Sequence, residues 1–287
     1  MIKVAFLGTG LMGEPMAQRL IEAQVPVVAY NRTASKLEAL QRSGAEIAEL
    51  PQDAIAKSDC VILMLTNADA IKAVLLSEAS QQKLSGKTVI QMSTISPQES
   101  REIHDAVVAA GGEYLEAPVL GSIPQVKAGE LQVMVGASPE QFAKWSDVLK
   151  NFGSPVLLGA VGAAAATKLA LNQLIASLTT AFALSLGFVQ RQGVNVEQFM
   201  EILRQSALYA PTFDKKLPQM LERNFANPNF PTKHLLKDTN LFLTEAEALG
   251  LNVSSLEGVR KVLEMAQQLG LAEADYSSLF AAINPEK

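Results

Sequence analysis

Six residues near the start of this 287-residue chain restrict its fold more than any other stretch. Gly8-Thr9-Gly10-Leu11-Met12-Gly13 places glycine at the first, third and sixth positions. The apolar run Val4-Ala5-Phe6-Leu7 leads into it, and Met12, Met16, Leu20 and Ala23 follow at the spacing of one helix face. Between a strand and a helix the three glycines have separate duties. Gly8 permits a tight turn, Gly10 lets a pyrophosphate approach the backbone, and Gly13 lets helix and strand pack closely. The free N–H groups at the helix N-terminus, including those around Leu11 and Met12, then meet the phosphates with a partial positive charge. The turn predicts a bound dinucleotide.

Strand and helix signals alternate through the first half of the chain. Strands are expected at residues 4–7, 25–30, 60–65, 88–92, 114–118 and 131–135, and helices at 12–23, 34–43, 69–76 and 97–110. The run from Cys60 to Leu65 is apolar throughout, as a parallel strand covered on both faces should be. The alternation predicts an α/β Rossmann domain over residues 1–161, with a doubly wound, mostly parallel sheet. After Gly162 only helical spacing remains. Residues 163–190 form one apolar stretch, about 40 Å long at about 1.5 Å per residue, and shorter helices are expected at 196–205, 215–223, 233–249, 254–269 and 276–283. An all-α domain over residues 162–287, starting with this long interdomain helix, is expected, and a helix that apolar predicts that the domain also packs against a second copy.

Charge excludes some partners. With 24 basic and 29 acidic residues the net charge is −5, which argues against a nucleic-acid surface. An anionic ligand must therefore be met by local cations. The single cysteine, Cys60, rules out an internal disulfide and fits a reducing, cytoplasmic setting. Met1-Ile2-Lys3 runs straight into an apolar strand, so no signal peptide is expected. Residues 169–189 are apolar but carry Asn172, Gln173, Ser177, Thr179, Thr180 and Ser185, which favours a buried helix over a membrane span. His104 and His234 stand too far apart to predict a metal site.

Two places carry more specific chemistry. The second strand ends in Asn31-Arg32-Thr33, where an NAD enzyme would place an acid for the ribose hydroxyls. A carboxylate repels a 2′-phosphate, whereas the Arg32 guanidinium binds one, so NADP(H) is the expected cofactor. Farther on, Lys168 is the one charged residue between Pro155 and Gln190. A charge in so apolar a run must snorkel, pair or serve a site. Asn172 lies four residues later on the same helix face. Together an ammonium and a carboxamide can bind a carbonyl oxygen, and Lys168 can protonate the alkoxide formed as hydride arrives.

These features coincide with a known pattern. The chain resembles β-hydroxyacid dehydrogenases from end to end, through FLGTGLMGEPMA at 6–17, Ser93-Thr94 with Pro97, EAPVLGS at 116–122, and Lys168 with Asn172. Asn31-Arg32-Thr33, Gly121-Ser122 and FPTKHLLKD at 230–238 are most similar to the glyoxylate and succinic semialdehyde reductases of that family. The resemblance implies an enzyme in which Lys168 is the catalytic acid and Asn172 orients it. It implies cofactor contacts at Leu65, Thr66, Thr94 and Lys237. It implies a substrate carboxylate held by Gly121 and Ser122, with Ser93, Phe230 and Asp238 completing the pocket. It also implies a homodimer or homotetramer.

The implied reaction is NADPH-dependent reduction of a short carboxylate-bearing aldehyde, succinic semialdehyde or glyoxylate. Leu120 stands where the family usually has serine, which adds apolar bulk and favours a longer substrate. Ala164 replaces a second glycine at the start of the long helix, which stiffens that entrance. Three alternatives compete. Arg32 argues against an NAD-linked dehydrogenase of 3-hydroxyisobutyrate type, Lys168 against imine reduction, and Lys168, Asn172 and Thr94 against a catalytically idle dinucleotide-binding module.

Overall fold

The computed structural model describes residues 2–286. The chain forms two compact units, Met1–Leu169 and Ala170–Lys287. The first contains β1 (Val4–Leu7), α1 (Gly13–Glu22), β2 (Val27–Tyr30), a 3-10 turn (Ala34–Leu37), α2 (Glu38–Arg42), β3 (Glu46–Ile47), α3 (Pro51–Ala56), β4 (Cys60–Leu63), α4 (Ala68–Leu75) and α5 (Glu78–Gln81). It continues through β5 (Thr88–Gln91), α6 (Pro97–Ala109), β6 (Glu113–Glu116), β7 (Val119–Leu120), α7 (Ile123–Ala128), β8 (Leu131–Gly136), α8 (Pro139–Leu149) and β9 (Gly153–Gly159).

Among the described residues nine strands form one sheet in the order β3-β2-β1-β4-β5-β6-β8-β7, with β9 paired to β8. From β3 to β6 the pairing is parallel, and β8 then runs antiparallel to β6. This is the Rossmann order, with the reversal beside β1 that leaves a ligand crevice at the strands' carboxyl ends. Successive side chains of β1, β2, β4, β5 and β6 enter opposite cores, as a period of two requires. Val4, Phe6, Ile62 and Ile90 join Met16 and Leu20 of α1 and Leu149 of α8 on one face. Ala5, Leu7, Val61, Leu63 and Val89 join Ile71 of α4 and Ile103 of α6 on the other. Helices α6 and α8 begin with capping boxes, Ser96 with Glu99 and Ser138 with Gln141, each followed by proline.

The long helix α9 (Ala163–Arg191) starts in the first unit and continues into the second. There follow α10 (Val196–Arg204), α11 (Pro211–Glu222), α12 (Thr232–Ala248), α13 (Ser254–Gln268) and α14 (Leu279–Ile283). The second unit's core gathers Ala176, Phe182, Ala183 and Leu186 of α9 with Met200, Leu235, Leu263 and Phe280. Phe182 and Phe213 stack at 4.6 Å between centroids. By length and composition alone α9 could cross a membrane. The expectation of a buried helix holds for one side only: Leu174, Leu178, Leu184 and Phe188 are 50%, 39%, 63% and 64% exposed.

Some local expectations fail. Residues 34–43 make a 3-10 turn and then the short α2, rather than one helix. Strand β9 was not anticipated: Pro155 and its half-exposed alternating pattern hide it, and pairing to β8 supplies what its sequence lacks.

Candidate active site

Parallel register brings the first set of expected residues to one edge. Leu7 aligns with Tyr30 and Leu63, and Leu63 with Gln91, so Gly8, Asn31, Leu65 and Ser93-Thr94 all follow the carboxyl ends of adjacent strands. The three glycines differ physically. Gly8 has φ +101° and donates to Tyr30 O at 2.9 Å, and a Cβ there would lie 2.4 Å from Met64 O. A Cβ on Gly13 would lie 1.9 Å from Gly8 O. A Cβ on Gly10 would meet nothing within 4 Å. The fold itself requires Gly8 and Gly13, whereas Gly10 leaves open space where a phosphate can approach.

Beside Gly10 lies a cleft of about 360 Å³, lined by Thr9, Gly10 and Leu11, two cations, Lys36 and Lys127, and one carboxylate, Glu14. Leu11 and Arg32 are exposed, Met12 and Asn31 half-buried, and Thr33 exposed at the start of the 3-10 turn. The Thr9 hydroxyl donates to Lys36 O at 3.1 Å, which ties the glycine turn to the segment after Arg32. Glycine turn, helix N-terminus and cations fit the phosphates of a dinucleotide. Sequence reasoning passed over both lysines. Lys36 follows Arg32 by four residues, a usable signal, but Lys127 arrives only because α7 packs on α1.

Ser93 and Ser122, two of the other predicted polar groups of this unit, are already engaged. Ser93 is buried, and its Oγ accepts the Leu65 N–H at 2.7 Å. Gln91 brackets it, accepting from Ser93 N and donating to Ser93 O. Ser93 therefore braces the turn at Leu65 from behind, while Thr66 is exposed and Thr94 half-buried. Ser122 donates both its N–H and its hydroxyl to Gln125 Oε1, at 3.0 and 2.8 Å. Gly121 has φ +134°, and a Cβ there would lie 2.5 Å from Leu131 Cδ2. The two Ser122 donors expected to hold a substrate carboxylate are thus paired to a glutamine amide oxygen, which such a carboxylate would have to replace.

Helix α9 carries Lys168, half-buried, and Asn172, 2% exposed, one turn apart. Within the second unit Asn172 Nδ2 donates to Asp238 Oδ2 at 2.6 Å, which leaves the buried Asn172 Oδ1 without a hydrogen-bond partner. Asp238 Oδ1 pairs with Lys237 Nζ at 2.8 Å. The carboxylate thereby fixes the amide, with nitrogen towards Asp238 and oxygen free to accept. Lys237 also lines an open groove of about 380 Å³ along α12. Phe230 packs edge-on against Tyr276 at 5.9 Å. His234 is held below the ordinary histidine pKa, chiefly by burial and then by Lys233 and Lys237. A further buried pair went unseen in the sequence: Lys216 Nζ lies 2.7 Å from Asp275 Oδ1 and 4.3 Å from the Tyr276 ring centroid. Nothing local in the amphipathic α11 pattern marks that lysine as buried.

A Rossmann sheet with a glycine turn at its carboxyl edge, followed by an all-α unit, defines a dinucleotide-dependent oxidoreductase of two-part construction. Residues 3–162 match the model of the NAD-binding domain of 6-phosphogluconate dehydrogenase. Residues 162–283 match the NAD-binding model of NADP-dependent 3-hydroxyisobutyrate dehydrogenase. Glyoxylate/succinic semialdehyde reductase 1 of Arabidopsis thaliana is 30% identical over 98% of both chains. Its chloroplastic counterpart, reductase 2, is 31% identical over 100% of this chain and 80% of its own. In fold, a 3-hydroxyisobutyrate dehydrogenase of Mycobacterium tuberculosis superposes with TM-score 0.89 at 23% identity, covering 99% of each chain. The chain belongs to the β-hydroxyacid dehydrogenase family of NAD(P)-dependent oxidoreductases.

Proposed function

We propose that this protein is a cytoplasmic NADPH-dependent reductase of a short carboxylate-bearing aldehyde, with succinic semialdehyde preferred over glyoxylate. The observation that carries the reading is the Asn172 carboxamide, fixed by Asp238 and one helical turn from Lys168. Arg32, Lys36 and Lys127, with no acid at the end of β2, support NADPH. Leu120 supports the longer substrate.

The bound cofactor supplies the hydride that reaches the carbonyl carbon. Lys168 gives a proton from its ammonium to the carbonyl oxygen as the C=O π pair moves there, and the resulting amine takes a proton back from solvent. The net change is aldehyde, reduced cofactor and one proton to hydroxy acid and oxidised cofactor. Asn172, one helical turn on, keeps an amide oxygen able to accept a hydrogen bond when substrate and cofactor are in place. The Ser122 N–H and hydroxyl transfer from Gln125 to the substrate carboxylate.

Steady-state rates with NADPH and NADH against a panel of short aldehyde acids test the assignment. Activity with succinic semialdehyde is expected to exceed that with glyoxylate. General acid catalysis is typically worth roughly 10²–10⁴-fold, so Lys168→Ala should lose at least about a hundredfold in kcat while NADPH affinity changes little. Normal turnover by that variant would remove the proposed mechanism. Oxidation of a 3-hydroxy acid is the second reading, favoured by the family model over residues 162–283, and the same panel run with NADP+ decides it.

The exposed leucines and Phe188 of α9 support a homodimer formed through the second unit. Light scattering at micromolar concentration should give at least twice the chain mass, and a monomer mass rejects the assembly.

A further inference from the structure

One buried carboxylate has no part in the mechanism above. Glu116, the last residue of β6, is fully buried, and such a charge persists only where donors surround it. Its Oε1 accepts three backbone N–H groups of the α9 entrance, from Gly162 at 2.8 Å, Ala164 at 2.8 Å and Ala165 at 3.1 Å. Its Oε2 accepts the Ser100 hydroxyl. Ser100 Oγ lies 2.9 Å from Tyr114 Oη, and since Ser100 donates to Glu116, Tyr114 donates to Ser100. Burial pushes the Tyr114 phenol up, so it stays a donor. The strand opposite makes room: Gly136 pairs with Glu116, and a Cβ there would lie 2.4 Å from Oε1.

The first N–H groups of a helix have no partner within it and fray unless capped. In α9 every one is held, Ala163 N by Ala160 O and the rest by Glu116. An ordinary cap side chain satisfies one such donor; here a single oxygen takes three. Lys168 lies four residues beyond Ala164, so its own backbone N–H bonds into the turn that Glu116 clamps. The alanine run 163–166 adds stiffness that glycine would lack.

We propose that Glu116 is a positioning residue for Lys168: by gathering the first-turn N–H groups of α9, its carboxylate sets where the lysine leaves the helix. The inference rests on Lys168 being the proton donor. Four variants test it: Glu116→Ala, Glu116→Gln, Lys168→Ala and the double variant Glu116→Ala/Lys168→Ala. Each is assayed for kcat and aldehyde KM, with NADPH affinity measured separately by fluorescence titration.

Glu116→Ala should lose about tenfold in kcat with NADPH affinity within about threefold. Glu116→Gln should recover most of that loss, because its amide oxygen keeps the three N–H bonds and its nitrogen can donate to Ser100. In the Lys168→Ala background, Glu116→Ala should cost nothing further. An equal tenfold loss in both backgrounds would place the effect of Glu116 elsewhere and overturn the proposal. So would parallel losses of kcat and NADPH affinity, the mark of a general structural defect. Normal kcat in Glu116→Ala while Lys168→Ala is impaired overturns this proposal alone. Normal kcat in Lys168→Ala overturns the donor assignment and this proposal with it. Should the alanine variant fail to fold, Glu116→Gln decides on its own: amide exchange at Ala164 and Ala165 must stay slow and kcat near normal, and fast exchange with normal kcat rejects the role.

Discussion

The two units build their functional edges from different materials. In the first, the polar work is done largely by main chain: Gly8 N–H bonds Tyr30 O, Leu65 N–H bonds Ser93, and the Ser122 N–H bonds Gln125. In the second, side chains on packed helices do it: Asn172 to Asp238 to Lys237, and Lys216 to Asp275. Most donors and acceptors at the first edge are closed locally, whereas the second unit leaves Asn172 Oδ1 and Asp275 Oδ2 buried without hydrogen-bond partners. A main-chain edge depends on backbone conformation and is indifferent to most side-chain chemistry. A buried side-chain site depends on single atoms, because an unmatched polar group there costs about 1–3 kcal/mol.

The sharpest way to break that contrast is to add a methyl group to the glycine turn. In Gly13→Ala the new carbon would fall 1.9 Å from Gly8 O, so the turn must open. NADPH affinity should drop by about a hundredfold, about 2.7 kcal/mol, and Tm should fall. In Gly10→Ala the new carbon meets no protein atom. Its Tm should stay put while NADPH affinity still falls by about tenfold, because the phosphate must approach there. Equal Tm losses in the two variants would show that Gly10 also serves the fold.

This asymmetry governs how much could be read from sequence. In the first unit β1, β2, β4, β5, β6 and β8 and the helices α1, α4 and α6 follow from local pattern, the glycine turn announces its own edge, and β3, β7, α3, α5, α7 and α8 carry no such signal. Strand β9 escaped because its pairing partner, rather than its composition, makes it a strand. Lys168 and Asn172 were legible because one charge in an apolar helix is anomalous and the two lie a turn apart. That Asp238 fixes Asn172, 66 residues away, was beyond any local pattern. The same holds for the buried Lys216–Asp275 pair, whose partners lie 59 residues apart. Glu116 stood in a recognised block, yet its task depends on Gly162, Ala164 and Ala165, 46 to 49 residues later.

Exposed cations are the exception at the first edge, and they sharpen the comparison. Arg32 sits at the surface after β2, and Lys36 and Lys127 line the cleft beside Gly10. Arg32→Ala should reduce a preference for NADPH over NADH by about tenfold, about 1.4 kcal/mol. Lys127→Ala should weaken NADPH binding by about threefold, and added salt should shrink both effects. Binding titrations with each cofactor at two ionic strengths read this out. An unchanged cofactor ratio in Arg32→Ala would mean that Arg32 does not select the cofactor and that the selection lies with Lys36, Lys127 or the backbone.

The smallest expected effect belongs to the side-chain-built unit and appears in stability. His234 lies on α12 among Lys233, Lys237, Asp238 and Glu273. Burial first, then the two lysines, hold its folded pKa below the ordinary 6.5, while Asp238 and Glu273 only partly oppose them. Between the folded pKa and 6.5 the unfolded chain binds a proton that the folded chain does not. Acidification through 6.5 therefore favours unfolding, and above that pH the histidine contributes no pH dependence. His234→Gln removes the titrating group. The Tm of the variant should track the parent above pH 7 apart from a constant offset, then fall less steeply between pH 6.5 and 5. Parallel curves across that window would show that His234 titrates alike in the folded and unfolded chain, so that the cations gathered on α12 are screened by water rather than felt in the interior.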